Sequence, residues 1–417
     1  VTRQRPTWWA EDPFNRTLAL AAGASSVRGL QTAFFVPRIL AGAQALNMLQ
    51  SAVAGIAAAA RVLIITDQVV RPLAERVAAA LRPAGHTVEI LDGVLPEVPV
   101  EVVEQGAAVA QQFAPQLIMA VGGGSAIDAA KIIWVRYEKP DFDFRQINIL
   151  EPLGLRKKAL LVAIPTTAGT GSEATGAAVL TEGGQKMSTT HPELVPDFAV
   201  LDPAFTAGMP PQLTAYTGLD ALSHATGAFL SHWANEFTDP LALQAIDLVF
   251  QYLPRAVADG ADMEARTKMQ LAACLAGIAF ANAACGPDHA LGHSLGKVFG
   301  VHHGAAVGLF TPYAMGYVAR VSDKYLKLAD WLGIEPGPAR ERLAALCRRY
   351  LDFTRAVGAP TTIGELGITR PDFEARLPEL VELALTDGVS LLSRRPATAE
   401  NYRRLYQYAY DGLLVDF

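Results

Sequence analysis

A chain of 417 residues is too long for one small core, so two domains are expected. With 51% hydrophobic and 18% charged residues, it reads as a globular protein and excludes a disordered one. The net charge of −6, without any Lys/Arg block, excludes a surface that tracks nucleic-acid phosphates.

Residues 1–14 mix Arg3, Arg5, Glu11 and Asp12 with Trp8 and Trp9, and so lack the pattern of a secretory signal. Residues 1–30 read as an extension ahead of the first strand-like run, 34–39. The most apolar run, 48–66, contains Gln50 and Arg61 and changes period partway, as a buried helix feeding a buried strand would. No membrane partner is expected. Runs 62–66, 87–91, 117–121 and 160–164 are strand-like, and 71–81 and 100–113 carry helical spacing between the first three. That alternation predicts a mostly parallel sheet with helices on both faces. Beyond Leu201-Asp202-Pro203 long Ala/Leu-rich helical patterns dominate, so residues 1–203 are expected to form an α/β dinucleotide-binding domain and 204–417 an all-α domain. Thr238-Asp239-Pro240 predicts a helix start with a capping side chain ahead of the first helical proline. Cys274, Cys285 and Cys347 form no CxxC pair and fit a reducing, cytoplasmic setting as small core residues.

Two loops point to a phosphate-bearing ligand. The run 117–121 enters Gly122-Gly123-Gly124-Ser125, and Ser125 is placed to cap the helix that follows. Glycines permit close backbone approach, and a helix start offers free N–H groups to an anion. Neither the Rossmann fingerprint nor a Walker loop is present, and a bare strand-to-helix turn is the bland reading. The second loop, residues 165–173, is rich in hydroxyls and small residues after another buried strand. Asp67 ends the run 62–66, where a carboxylate can bind a ribose diol and repel a 2′-phosphate, or simply cap a turn.

A second constellation points to a metal. Asp220 and His224 are four apart, as are His289 and His293, so each pair shares a helix face. His302 and His303 follow closely. Imidazoles with one carboxylate suit Fe2+ or Zn2+ and leave a position open for a substrate oxygen. Spacing alone does not choose among His289, His293, His302 and His303. His86, His191 and His232 stand apart and read as satisfied core or surface residues.

The motifs GGGSAIDAAK (122–131), PTTAGTGSEAT (165–175), TGLDALSHA (217–225) and HALGHSLG with HHG (289–304) together resemble the iron-containing alcohol dehydrogenase family. The resemblance implies the two-domain fold, with the cofactor in the cleft between domains. It implies Asp220, His224, His289 and His303 as metal ligands, and His293 as a proton relay near the nicotinamide. It places Gly123, Gly124, Ser125 and Asp128 near the cofactor's phosphates and nicotinamide side, and Thr166, Thr167, Thr170 and Ser172 on the second cofactor loop. Asp67 matches the position that selects NAD over NADP. The implied reaction is hydride transfer between an alcohol, aldehyde or ketone and NAD(P), in a homo-oligomer acting on small molecules. Two other readings share these motifs: a lyase like dehydroquinate synthase, and a catalytically silent metal- and nucleotide-binding protein. The first should carry several cations for a phosphorylated substrate, and only Lys297 stands near the cluster in sequence. Two departures stand out: Gly227, where the family commonly carries Glu, and the stretch Cys285-Gly286-Pro287-Asp288.

Overall fold

The computed structural model describes residues 34–54, 59–149, 151–183 and 185–417. The extension with Trp8 and Trp9 lies outside the described residues, as does 55–58 within the apolar run. The strands are β1 (Arg38–Ala41), β2 (Arg61–Ile65), β3 (Thr87–Leu91), β4 (Leu117–Gly122), β5 (Leu160–Pro165), β6 (Ala177–Glu182), β7 (Gln185–Thr190) and β8 (Phe198–Leu201). Six of them form a parallel sheet in the order β1-β8-β5-β4-β2-β3, and β6 pairs with β7 as an antiparallel hairpin.

Alternation along the strands separates two cores. Leu63, Ile65, Ile118, Ala120, Leu161 and Ala163 face one side of the sheet, and Val62, Ile64, Met119, Val121, Val162 and Ile164 face the other. The second side is covered by α1 (Ala45–Ala54) and α2 (Arg71–Leu81). On the first side α3 (Val100–Phe113) presents Val100, Val103 and Ala110, and α4 (Gly124–Glu138) is buried nearly all round. The period of two in each strand is what lets one sheet serve two helical layers. The expected parallel α/β architecture is therefore present, with helices 71–81 and 100–113 as read from their spacing.

Chain order reverses between β2 and β4: from β2 the path goes out to β3, then returns past β2 to β4 and onward to β5. Ligands of open α/β sheets sit beyond the strand ends at such a switch. Asp67 follows β2, the triple glycine closes β4, and Thr166 follows β5, all at the carboxyl ends of three neighbouring strands.

The helical part comprises α5 (Pro211–Leu230), α6 (Thr238–Ala258), α7 (Met263–Ala283), α8 (Pro287–Phe299), α9 (His303–Val318), α10 (Lys324–Trp331), α11 (Ala339–Ala356), α12 (Arg370–Thr386) and α13 (Ala399–Asp411). Helix α5 is buried along almost its whole length from Thr214, as expected of a central helix that is apolar all round. Among the described residues no single helix is long and apolar enough to cross a membrane.

Compactness groups Phe35–Pro210 with Asp259–Ala281, and Pro211–Ala258 with Asn282–Phe417. The division at residue 203 thus remains a proposal, since most of α7 belongs with the sheet. The helix meets that part backbone to backbone: a Cβ on Gly277 would stand 2.7 Å from the Gly171 carbonyl oxygen. Three sequence expectations need correction. The first strand starts at Arg38, because residues 34–37 adopt no regular structure. Helix α6 starts ahead of Pro240, with Thr238 and Asp239 already helical, and Asn235 Oδ1 accepts the N–H groups of Phe237 and Thr238 at 3.0 and 3.2 Å. Pro240 therefore sits inside the first turn. Strands β6, β7 and β8 are additional to the strand-like runs read from the sequence.

Candidate metal centre and cofactor loops

Helix α4 begins at the glycine turn. Gly123 occupies the cap position in extended backbone, and its carbonyl accepts the Ile127 N–H at 3.2 Å. No side chain caps this start, so Ser125 lies inside the first turn and does not play the capping role expected of it. The N–H groups of residues 124–126 precede the first intrahelical bond and carry the positive end of the helix dipole. The two loops adjoin: a Cβ on Gly123 would touch Thr167 at 3.3 Å, and one on Gly124 would meet Thr170 at 3.0 Å. Thr166 is buried, and its N–H binds the Gly122 carbonyl at 3.0 Å.

Below this surface runs a polar lock that the sequence reading missed. Lys131 is fully buried on α4, and its ammonium donates to the Ser172 carbonyl (2.8 Å), Ser172 Oγ (2.9 Å), Thr175 Oγ1 (3.2 Å) and the Ala177 carbonyl (2.6 Å). Asp128 accepts Ser172 Oγ–H at 2.6 Å and the Val179 N–H at 3.0 Å, so both its oxygens are engaged within the fold. Burial pushes the Lys131 ammonium down to about 8 and the buried Glu173 carboxyl up to about 7. A lysine inside the apolar stretch AIDAAKII, three residues after an aspartate, was the available signal. Asp67 Oδ1 accepts the N–H groups of Val69 and Val70, as in the turn reading, while Oδ2 lies toward Gly122.

The second cluster is built by α5, α8 and α9. Asp220 and His224 project from one face of α5, His289 and His293 from α8, and His303 opens α9. Helix α9 lies unusually close to α5: a Cβ on Gly304 would stand 2.1 Å from the Tyr216 carbonyl oxygen. That approach carries His303 Nε2 to 3.3 Å from Asp220 Oδ1. His224 Nδ1 lies 3.6 Å and His289 Nε2 4.0 Å from the same oxygen. The His224 and His289 rings are 4.6 Å apart and those of His289 and His303 5.7 Å. Asp220 and His289 are each 2% exposed, yet Asp220 Oδ1 and His289 Nε2 have no hydrogen-bond partner. Orphaning such groups costs roughly 1–3 kcal/mol each, more when charged, unless a cation answers both.

Electrostatics agree with that reading. Burial alone would raise the Asp220 carboxyl, but His224, His303 and His289 around it hold it far below the usual range. Burial pushes His224 down to about 3, leaving a neutral ring able to donate a lone pair. His289 is raised despite burial, because Asp288 pairs with it.

The remaining members have separate tasks. His293 Nδ1 is 2.8 Å from Asp387 Oδ2, and its ring stacks on His303 at 5.2 Å. His302, to which the sequence assigns no role, caps α9 through Nδ1, which accepts the Gly304 N–H at 3.2 Å. Cys285, read from sequence only as a core residue, is indeed buried, but its sulfur also falls within 4.8 Å of nitrogens of His224 and His289. His86 and His191 accept backbone N–H groups, as expected of satisfied histidines.

Known proteins share both the sheet-bearing and the helical part of this chain. The sequence profile described as iron-containing alcohol dehydrogenase matches residues 37–203, and that of the family's C-terminal region matches 214–410. The chain is 36% identical over 351 residues to the NADPH-dependent butanol dehydrogenase of Clostridium saccharobutylicum, covering 82% of this chain and 89% of that protein. It is 38% identical over 344 residues to the 1-propanol dehydrogenase of Salmonella typhimurium, covering 81% and 89%. It spans 43% of the length of the aldehyde-alcohol dehydrogenase 2 of Entamoeba histolytica, which it also matches. The iron-containing alcohol dehydrogenase of Thermococcus thioreducens superposes with a TM-score of 0.83 at 33% identity, covering 91% of this chain and all of that one. The chain belongs to the iron-containing alcohol dehydrogenase family.

Proposed function

We propose that Asp220, His224, His289 and His303 hold one divalent cation, Fe2+ or Zn2+, and that Asp67, Gly123, Gly124, Ser125, Asp128, Thr166, Thr167, Thr170 and Ser172 serve a nicotinamide dinucleotide. The reaction is that of the family: hydride transfer between an alcohol, or its aldehyde or ketone, and NAD(P). The observation that carries the metal assignment is the buried, unpartnered pair of Asp220 Oδ1 and His289 Nε2, 4.0 Å apart. Two electron-rich atoms so placed suit a cation between them better than they suit each other.

When bound, the ion supplies Lewis acidity toward the substrate oxygen. The protein's own part is to position groups and handle the proton. Asp387 takes His293 by Nδ1, which leaves Nε2 to receive the alcohol proton and release it to water. Lys131 and Asp128 fix the second loop against α4, so that Thr167 and Thr170 are held against the glycine turn without reorganisation. Backbone N–H groups at the start of α4 suit the pyrophosphate. Asp67 favours NAD, since its carboxylate would repel a 2′-phosphate.

Straight-chain primary alcohols, named for the relatives above, are the first substrates to assay. Buried free thiols suit a reducing cytoplasm, and the resemblance alone suggests a homo-oligomer. The test is metal analysis of the purified protein together with NAD(P)H formation from such alcohols. Asp220→Ala and His303→Ala should each strip the metal and cut turnover by roughly 10³-fold in folded protein. Undiminished turnover in the two variants overturns the proposal.

A further inference from the structure

The two departures from the family pattern, at 227 and at 285–288, meet in space. Gly286 caps α8 in extended backbone, and a Cβ on Gly227 would stand 2.6 Å from its nitrogen. A Cβ on Gly286 would in turn stand 2.7 Å from Asp288 Oδ1. The start of α8 therefore occupies the room that a side chain at 227 would need, and the Asp288 carboxylate folds back over a second glycine. Neither glycine tolerates a side chain while this junction keeps its shape.

What the junction delivers is a buried carboxylate beside a metal-site imidazole. Asp288 is 1% exposed. Its Oδ2 accepts Ser223 Oγ–H from α5 at 2.6 Å and Thr311 Oγ1–H from α9 at 3.4 Å. Its Oδ1 accepts the His289 backbone N–H at 3.1 Å and lies 3.4 Å from His289 Nδ1. Ser223 Oγ, its own proton committed to Asp288, is a second oxygen near Nδ1 at 3.5 Å. Two acceptors at Nδ1 place the ring proton there. The Nε2 lone pair is thereby kept for the side of the ring that faces Asp220.

We propose that Asp288 is a positioning residue of the metal centre, holding the His289 ring in the tautomer and orientation in which Nε2 serves the ion. The carboxylate reaches the cluster from the first turn of α8. Consecutive helical residues do not share a face. Asp288 reaches His289 because it lies at the helix start, where its side chain returns to the backbone N–H of the next residue. Carboxylates behind metal-binding imidazoles raise their basicity and fix their rings, and losing one typically weakens metal binding about 10–100-fold.

The inference rests on the metal centre proposed above, so the experiment separates the two. Metal-free full-length protein is loaded with Co2+ and titrated against a competing chelator, and the visible spectrum of the bound ion is recorded. Asp288→Ala should weaken Co2+ binding by about 10–100-fold and shift the spectrum. Asp288→Asn, which keeps an oxygen but not the charge, should fall between this variant and the parent. Ser223→Ala should move in the same direction by less. Parent-like affinity and spectrum in Asp288→Asn, the variant that best preserves the fold, overturn the role of Asp288 while the centre stands. A parent protein that binds no divalent ion overturns both.

Discussion

The two candidate sites treat their polar groups in opposite ways. Around the cofactor loops Lys131 is answered from within by four oxygens, Asp128 by Ser172 and Val179, and Asp67 by the turn it closes. What this region leaves for a ligand is backbone N–H, small side chains and the second carboxylate oxygen of Asp67. The α5–α8–α9 cluster instead buries a carboxylate oxygen and an imidazole nitrogen without partners. A large, flexible anion that comes and goes is best met by a surface complete without it, whereas a resident cation belongs to the balance of charge itself. The first site should therefore keep its internal hydrogen bonds when its ligand leaves, whereas the second leaves buried polar atoms unanswered without its ion.

The largest effect expected from this contrast is at Asp220. Asp220→Ala should leave folded protein that retains dinucleotide binding but loses turnover by roughly 10³-fold, equivalent to about 4 kcal/mol of barrier. Steady-state rates with a primary alcohol, beside dinucleotide titration, measure both. Loss of dinucleotide binding as well would blur the distinction between the sites.

Next in size is Lys131→Met, which strips the cation from a buried lock and leaves Asp128 and Glu173 without it. It should cost roughly 3–5 kcal/mol in stability. Metal content per chain should stay unchanged, because the lock and the cluster lie in different compact units. Denaturant unfolding with elemental analysis decides the point.

Removal of the ion should come third. Chelation should lower the melting temperature by several degrees, since an ion present at about 1,000 times its Kd stabilises by about 4 kcal/mol. Removing the dinucleotide should still leave Lys131 and Ser172 well protected from hydrogen exchange, since their lock is complete without it.

How far these features could be read in advance depends on where the signal lies. Runs of β-branched residues bounded by Gly or Asp marked β2 to β5 nearly residue for residue. The strands β6 and β7 escaped because Ala177–Glu182 and Gln185–Thr190 mix Thr, Ser, Glu and Lys, with little alternation. The pairs Asp220–His224 and His289–His293 were visible through helical spacing, because residues four apart on a helix project together. Asp288 and Asp387 were not, since one works through an unusual helix start and the other is distant in sequence from His293. Lys131 hid inside an apolar pattern that predicts burial but not charge.

A pH experiment sharpens the contrast from the side of the cofactor region. Glu173 has its carboxyl raised by burial to about 7, against an ordinary 4.5. With the folded value above the unfolded one, its contribution to stability is fully present below about pH 4.5 and is lost as pH rises through about 7. Relative to Glu173→Gln, the parent should therefore weaken progressively across that window. The Lys131 ammonium, lowered by burial to about 8 and raised in part by Asp128 and Glu173, titrates mainly above this window. A difference that stays constant from pH 4 to 8 contradicts the assignment. The smallest effect expected is at Asp67: Asp67→Ser keeps an oxygen for the turn but removes the charge. The NAD-over-NADP preference should fall about tenfold, equivalent to about 1.4 kcal/mol, as measured by the ratio of kcat/KM values.

X-ray absorption at the metal edge of the loaded protein tests the central claim most directly. A single ion surrounded by oxygen and several imidazole nitrogens, with that shell disrupted in Asp220→Ala, is the predicted result. A sulfur neighbour would instead place the ion with Cys285, His224 and His289, and would contradict a ligand set of Asp220, His224, His289 and His303.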